Sequence, residues 1–165
     1  MKDLETSDRA KETMKIVSGG QTGADRAALD AAIRLGIPHG GWLPRGRKTE
    51  DGPLPGRYRL RELDSGRYRD RTEKNILDSD GTLIVSLGPL TGGSALTEAL
   101  AIRHDRPCLH INLELVDREQ AATTIGRWLR EHAIRTLNVA GPRASGEPRI
   151  YEEVLELLLS VSWPA

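Results

Sequence analysis

Four short apolar runs, each closed by a turn signal, recur along the chain: "MKIVS" (Met14–Ser18), "GTLIVS" (Gly81–Ser86), "PCLHIN" (Pro107–Asn112) and "TLNVAG" (Thr136–Gly141). Near-continuous apolarity with β-branched residues marks strands buried on both faces, as parallel sheets require. A weaker fifth, "IPHGGWLP" (Ile37–Pro44), contains Gly40-Gly41, a pair that costs strand stability. Helical patterns separate the runs. Ala24–Leu35 sets Ala28, Ala31, Ala32 and Leu35 at helical spacing, with Gly36 as a stop. Arg69–Leu77, Ser94–Arg103, Val116–His132 and Tyr151–Val161 follow. Alternating strand and helix with short connections predicts parallel strands joined by right-handed crossovers. The expected fold is α/β, a Rossmann-like three-layer sandwich with a mostly parallel, doubly wound sheet of about five strands. With no phenylalanine, its core must be aliphatic.

The 165 residues suffice for one domain with its own core. Residues 14–165 read as that domain and residues 1–13 as a polar extension. No apolar run approaches the ~20 residues of a membrane span, and the charged start does not read as a signal peptide. Cys108 stands alone, cannot form an internal disulfide, and fits a reducing cytoplasm. Lys+Arg and Asp+Glu both number 24, so global charge makes no case for nucleic acid. Locally the balance shifts. Pro44–Lys74 carries ten basic and six acidic residues, and reads as a basic loop insertion over 44–74, functional or disordered.

In a doubly wound sheet, ligands sit beyond the carboxyl ends of the strands. Three glycine turns follow strands here: "GGQTGADR", "GPLTGGSALTE" and "GPRASGEP". In the first, Gly19, Gly20 and Gly23 around Gln21 permit close backbone approach. The N–H groups of Thr22, Gly23 and Ala24 would project from a helix N-terminus and favour an anion. No Lys-Ser/Thr pair follows, so this is not a P-loop, and the dinucleotide G-x-G-x-x-G spacing is absent. Asp25 is a helix cap or a ligand acceptor; Arg26 is an anion contact or a solvated surface residue. The second turn offers Thr91, Gly92, Gly93, Ser94 and Thr97, with Ser94 and Thr97 also candidate caps. Glu98 either complements the helix dipole or serves as a ribose contact or acid/base. In the third, Arg143 suits bidentate phosphate or carboxylate binding, against a plain surface role.

Trp42 and Tyr58 either stack on a flat heterocycle or pack the loop against the sheet. The four histidines show no metal-site spacing, and no protein-ligated metal is expected. His110, between Leu109 and Ile111, reads as a hydrogen-bonded sheet position, and Cys108 as a small apolar residue.

Together, "IVSGGQTGADRAALDAAI", "GIPHGGWLPRGRKTEDGPLP", "NILDSDGTLIVSLGPLTGGSALTEAL" and "LNVAGPRASGEPRIY" resemble the molybdenum carrier family. Its members are similar to algal proteins that bind molybdenum cofactor. The resemblance runs from Met14 to Val161. More distantly, the chain is similar to the Rossmann-like superfamily of phosphoribohydrolases once labelled lysine decarboxylases and of DNA-processing protein A. The resemblance implies a groove over Gly19–Asp25 and Thr91–Ser94. It implies as ligand molybdenum cofactor, a phosphorylated pterin that brings its own dithiolene, or a related phosphorylated, anionic, nucleotide-like species.

The phosphoribohydrolases carry P-G-G-x-G-T-x-x-E. Here Thr91-Gly92-Gly93-Ser94-Ala95-Leu96-Thr97-Glu98 lacks the proline and third glycine, and the glutamate arrives one residue early. One residue is about 100° of helix rotation. A binding protein is therefore expected ahead of a nucleotide N-glycosidase using Glu98 or Asp25. A nucleic-acid partner ranks last, and a homo-oligomer paired through helices is compatible with the fold.

Overall fold

Six consecutive residues, Gly81–Ser86, are buried without exception, as a strand covered on both faces must be. This strand belongs to a computed structural model that describes residues 14–165; the polar extension of residues 1–13 lies outside the described residues. The elements run β1 (Lys15–Val17), α1 (Ala24–Leu35), β2 (His39–Gly40), β3 (Trp42–Leu43), β4 (Lys48–Thr49), β5 (Gly52–Pro53) and β6 (Arg61–Glu62). They continue α2 (Tyr68–Leu77), β7 (Gly81–Ser86), α3 (Gly92–Arg103), β8 (Cys108–Asn112), α4 (Arg118–Glu131), β9 (Thr136–Ala140) and α5 (Ile150–Ser160).

The central sheet has the order β2-β1-β9-β7-β8, and each pairing is parallel. Helices α1, α4 and α5 pack together over one face; α2 and α3 pair over the other. The result is the three-layer α/β sandwich. The core is aliphatic, with Ile16, Leu83, Val85, Leu137 and Val139 of the sheet meeting the alanine face of α1 and the leucines of α5. Small alanines let α1 lie close to both the sheet and α5. Helix α4 begins with a capping box: Gln120 N–H donates to Asp117 Oδ1 at 2.8 Å, and Asp117 N–H to Gln120 Oε1 at 3.2 Å. If the last strand–helix unit stood first in the chain, the sheet would read 3-2-1-4-5, an ordinary doubly wound order.

The expected fifth strand over 37–44 is divided. β2 pairs with β1, whereas β3 leaves the sheet and pairs with β6. Gly41 lies between them at φ 128°, and a Cβ there would meet the Ser18 carbonyl oxygen. Only glycine lets the backbone turn this close to its neighbour.

The basic insertion is folded. Arg47 donates to the carbonyl oxygens of Leu54, Pro55, Tyr58 and Leu60, drawing the loop around one guanidinium. Leu29, Leu43, Leu54, Tyr58 and Leu60 form a small second core beneath it. The Tyr58 hydroxyl donates to Asp30 at 2.7 Å, and Tyr151 donates to the same carboxylate. Trp42 donates Nε1 to Asp78 at 2.6 Å, with Arg61 and Lys74 over its ring. Both aromatics pack, but onto helices and not onto the sheet: Tyr58 fastens the insertion to α1, and Trp42 fastens β3 to α2. Among the described residues, no helix is long and apolar enough to cross a membrane.

Candidate functional site

β1, β9 and β7 are neighbours in the sheet, so the three glycine turns after them meet at one edge. Between the turns lies a cleft of about 220 Å³. Gly19, Gln21 and Asp25 line it from the first turn, Thr91, Gly92, Gly93, Ser94 and Thr97 from the second, and Asn138–Arg143 with Gly146 from β9 and the third. Helix α2 closes the remaining side with Arg71, Thr72 and Asn75.

The second turn is open. The N–H groups of Gly92 and Gly93 start α3 and have no partner among the described residues. No described residue lies within 4 Å of a Cβ placed on either glycine. Unpaired donors at a helix N-terminus, with the helix dipole behind them, favour an anion here. Thr91 occupies the cap position without a side-chain cap bond, and the Thr97 hydroxyl donates back to the Gly93 carbonyl at 2.8 Å.

The first turn is closed. Gly20 N–H donates to Ser18 Oγ at 3.3 Å, Gln21 N–H to Asp25 Oδ2 at 3.3 Å, and Thr22 N–H to Gln21 Oε1 at 3.1 Å. Ala24 N–H donates to the Pro142 carbonyl at 3.2 Å. A carbonyl of the third turn therefore stands where the sequence suggested an anion. Thr22, Gly23 and Ala24 form a joint between turns, Gly20 faces the second core at Leu43, Leu54 and Leu60, and none of the four lines the cleft. Glu50 locks this joint, accepting from the Thr22 hydroxyl, from Ser145 N–H at 3.2 Å and from Ser145 Oγ at 2.6 Å. Burial alone would raise its carboxyl, but the Ser145 and Thr22 hydrogen bonds outweigh burial and hold it below the usual range. Glu50→Ala removes these charge-assisted hydrogen bonds and is expected to cost about 1–3 kcal/mol. Urea unfolding should show the midpoint falling at constant slope.

Arg26 also turns away from the cleft. Its fork grips Asp51 at 2.8 and 3.1 Å, and this hydrogen bond draws the Asp51 carboxyl down to about 2. Arg26 is neither an anion contact nor a solvated residue; it ties α1 to the β4–β5 turn.

Asp25 is the second residue of α1, behind an N-cap at Gly23 that has no side-chain cap bond. Its carboxylate braces the preceding turn through Gln21 N–H and lines the cleft. Burial pushes its pKa up to about 6, against the pull of Arg71 at 3.8 Å and of the Gln21 N–H. Arg71 is 7% exposed and donates Nη1 to the Gly19 carbonyl at 2.7 Å. Burial lowers its pKa too, partly offset by Asp25. Gln21 Oε1 accepts from Thr22 N–H and from Glu50 N–H, which fixes the amide orientation and leaves Nε2 buried without a partner among the described residues. That donor is unspent.

Glu98 does not line the cleft; Thr97, one residue earlier, does. Glu98 sits instead near Cys108, whose thiol is pushed up to about 11 by burial and then by the Glu98 charge. His110 Nε2 lies 2.6 Å from Ser86 Oγ, a hydrogen-bonded sheet position. The sequence reading passed over Arg71, Asn75 and Asn138. Asn75 bonds the Trp42 backbone in both directions, at 2.8 and 3.2 Å, and Asn138 donates to Thr82 Oγ1 at 3.2 Å. A polar residue inside the apolar run "TLNVAG" was the available signal for Asn138. Arg71 had none, being one of ten basic residues in a row of similar ones.

Residues 16–162 match the model of one family, described as the circularly permutated YpsA SLOG family. The chain belongs to that family. The sheet order agrees with the description, since transferring the β9–α5 unit restores an ordinary doubly wound order. This YpsA-family chain is also 54% identical to a protein of known crystal structure from Syntrophus aciditrophicus SB, named "Putative molybdenum carrier protein". The match covers 92% of this chain and 96% of that one, with a TM-score of 0.90. A second solved structure, (E)-4-hydroxy-3-methyl-but-2-enyl diphosphate reductase, is 10% identical over 93% of this chain and 61% of its own, with a TM-score of 0.35. That is too distant to bear on function. No curated protein matches the chain.

Proposed function

We propose that the chain binds a phosphorylated, anionic ligand in the cleft, either molybdenum cofactor or a nucleotide-like relative of it. One observation carries this reading: the open N-terminus of α3, where Gly92 and Gly93 present free N–H groups to a cleft that Arg71 and Arg143 also line. A phosphate on those N–H groups would be held by charge-assisted hydrogen bonds, with Ser94 beside it. Gln21 Nε2 supplies a further donor for a carbonyl or phosphate oxygen once the ligand settles. Molybdenum cofactor suits this donor set, because its phosphate and metal-oxo oxygens are acceptors and its dithiolene supplies the metal's sulfur ligands. The relative named as a molybdenum carrier supports the same ligand class.

Gly93→Asp tests the placement. The position has room for a side chain and no left-handed backbone, unlike Gly92 at φ 51°. An aspartate there puts a negative charge on the cradle, and the loss of one or two charge-assisted bonds should weaken binding by about 10- to 100-fold or more. Anaerobic titration calorimetry with molybdenum cofactor and with a nucleoside monophosphate measures this. Unchanged affinity for both in Gly93→Asp overturns the site.

A second reading rests on Asp25, a buried carboxyl in the cleft with its pKa raised to about 6. Such a group suits proton transfer near neutrality. Of the two candidate acids for N-glycosidic cleavage, Asp25 is the one that reaches the cleft. Base released from nucleoside monophosphates, and abolished by Asp25→Asn, would establish it; no release from any common nucleotide would end it.

A further inference from the structure

Around the mouth of the cleft, three cations from three separate elements converge on one aromatic ring. Lys48 of β4 sits 4.7 Å above the Tyr68 ring centroid, Arg71 of α2 at 5.3 Å, and Arg143 of the third turn at 5.4 Å. Tyr68 is the first residue of α2, so the ring stands beside the Arg71 wall of the cleft. Cation–π contact steadies each cation against the ring. It does not cancel their mutual repulsion.

The acids facing this cluster are already engaged. Asp25 lies 3.8 Å from Arg71 and braces the first turn. Glu50 lies 3.9 Å from Arg143 and accepts three hydrogen bonds from Thr22 and Ser145. Lys48 has no carboxylate partner among the described residues. Two of the three cations thus have a carboxylate within 4 Å, and Lys48 leaves the cluster with an excess positive charge that an external anion would neutralise.

The size of the cleft points the same way. At about 220 Å³ it is smaller than the ~300–1,000 Å³ that buries a whole drug-sized ligand. A phosphate with its immediate attachment fits inside. The remainder of a larger ligand must cross the mouth, where Tyr68 and its cations lie.

We propose that Lys48, Arg71 and Arg143, arrayed on Tyr68, form a second anion subsite at the mouth of the cleft, so that the ligand carries two anionic groups and not one. A diphosphate meets this requirement, and so does a phosphate with a second oxyanion across a short spacer. The inference rests on the reading that the Gly92–Gly93 cradle holds the first phosphate. It adds Tyr68 and Lys48 to the site and predicts a preference among phosphorylated ligands.

Calorimetry at low ionic strength with GMP and GDP, and with inorganic phosphate and pyrophosphate, separates the two subsites. The wild-type chain should bind each diphosphate at least about tenfold more tightly than its monophosphate counterpart, the gain from one charge-assisted contact. Lys48→Met and Tyr68→Leu should each cut that ratio to about threefold or less, while Gly93→Asp weakens both members of a pair together. Added salt should shrink the ratio, because the mouth is exposed. Monophosphate binding that Gly93→Asp weakens, with no diphosphate preference, overturns the second subsite alone. A preference that survives in both Lys48→Met and Tyr68→Leu overturns it as well. If none of the four probes binds the wild-type chain, the subsite falls together with the phosphate reading beneath it.

Discussion

A Gly23→Ala chain melts about 8–16 °C below the parent, and a Gly93→Ala chain melts with it, by the scaling of ~2–4 °C per kcal/mol for domains of this size. Gly23 holds φ 80°, and a Cβ there would be driven into the Pro142 carbonyl oxygen, with Ala144 N at 2.9 Å. Both obstacles are backbone, so relief requires the first and third turns to separate. Left-handed strain of ~1–3 kcal/mol and overpacking of ~1–3 kcal/mol sum to about 4 kcal/mol. Gly93 has no such neighbour. Two glycines that look equivalent in sequence thus differ in kind, one a structural joint and the other an open cradle. Scanning calorimetry distinguishes them, and equal melting temperatures would overturn the docking of the third turn on the first.

Sulfate binding in the cleft weakens about tenfold or more as the pH rises through 6, and Asp25→Asn binds with no such dependence. Below its pKa of about 6, Asp25 is neutral and leaves the Arg71 charge to the anion. Above it, the ionised carboxylate lies 3.8 Å from Arg71 and competes. At an effective dielectric of ~20 this competition reaches at most about 4 kcal/mol, of which tenfold requires only ~1.4. Sulfate keeps its charge over this range, whereas a phosphate monoester itself ionises near pH 6 and would mask the effect.

Folding stability obeys the same linkage. With the folded pKa above the ordinary carboxyl value of 3.8, the Asp25 contribution is fully present below that value and is lost as pH rises through about 6. The loss amounts to about 3 kcal/mol at most. Asp51 works in the opposite sense, its contribution present above 3.8 and lost as the pH falls through about 2, so the windows are separate. Urea unfolding at pH 4.5 and 7.5 should show the parent losing stability between them relative to Asp25→Asn, which keeps an acceptor for the Gln21 N–H. A parallel response of the two chains would show that Asp25 does not titrate in this window.

The order of strands and helices could be read from the chain alone. Ala24–Leu35 is helical over the span its alanine pattern and Gly36 predict, and the four apolar runs supply β1, β7, β8 and β9. These signals are local: a buried strand must be apolar throughout, and a glycine can end a helix wherever it lies. That three glycine turns share one edge also followed, because parallel strands put their carboxyl ends on the same side. The basic insertion was visible as a charge excess, but its fold was not. Arg47 reads like its neighbours, and only its four carbonyl partners make it structural.

What each turn does was left to the tertiary structure. A glycine run says that backbone or ligand can approach closely, and not which of them arrives. For "SGGQTGADR" the neighbour is the Pro142 carbonyl, from a turn more than a hundred residues away in the chain; the Ala24 N–H is spent on it, and those of Gly20, Gln21 and Thr22 on nearby side chains. For "LTGGSALTE" nothing arrives from the described residues, and the donors of Gly92 and Gly93 stay open among them. Lys48, Tyr68, Arg71 and Arg143 become a set only when β4, α2 and the turn after β9 meet at one edge of the sheet. Periodicity along a chain dictates which elements form, because burial of one face is a local pattern; the partner of each polar group is dictated by long-range packing, which no local pattern encodes.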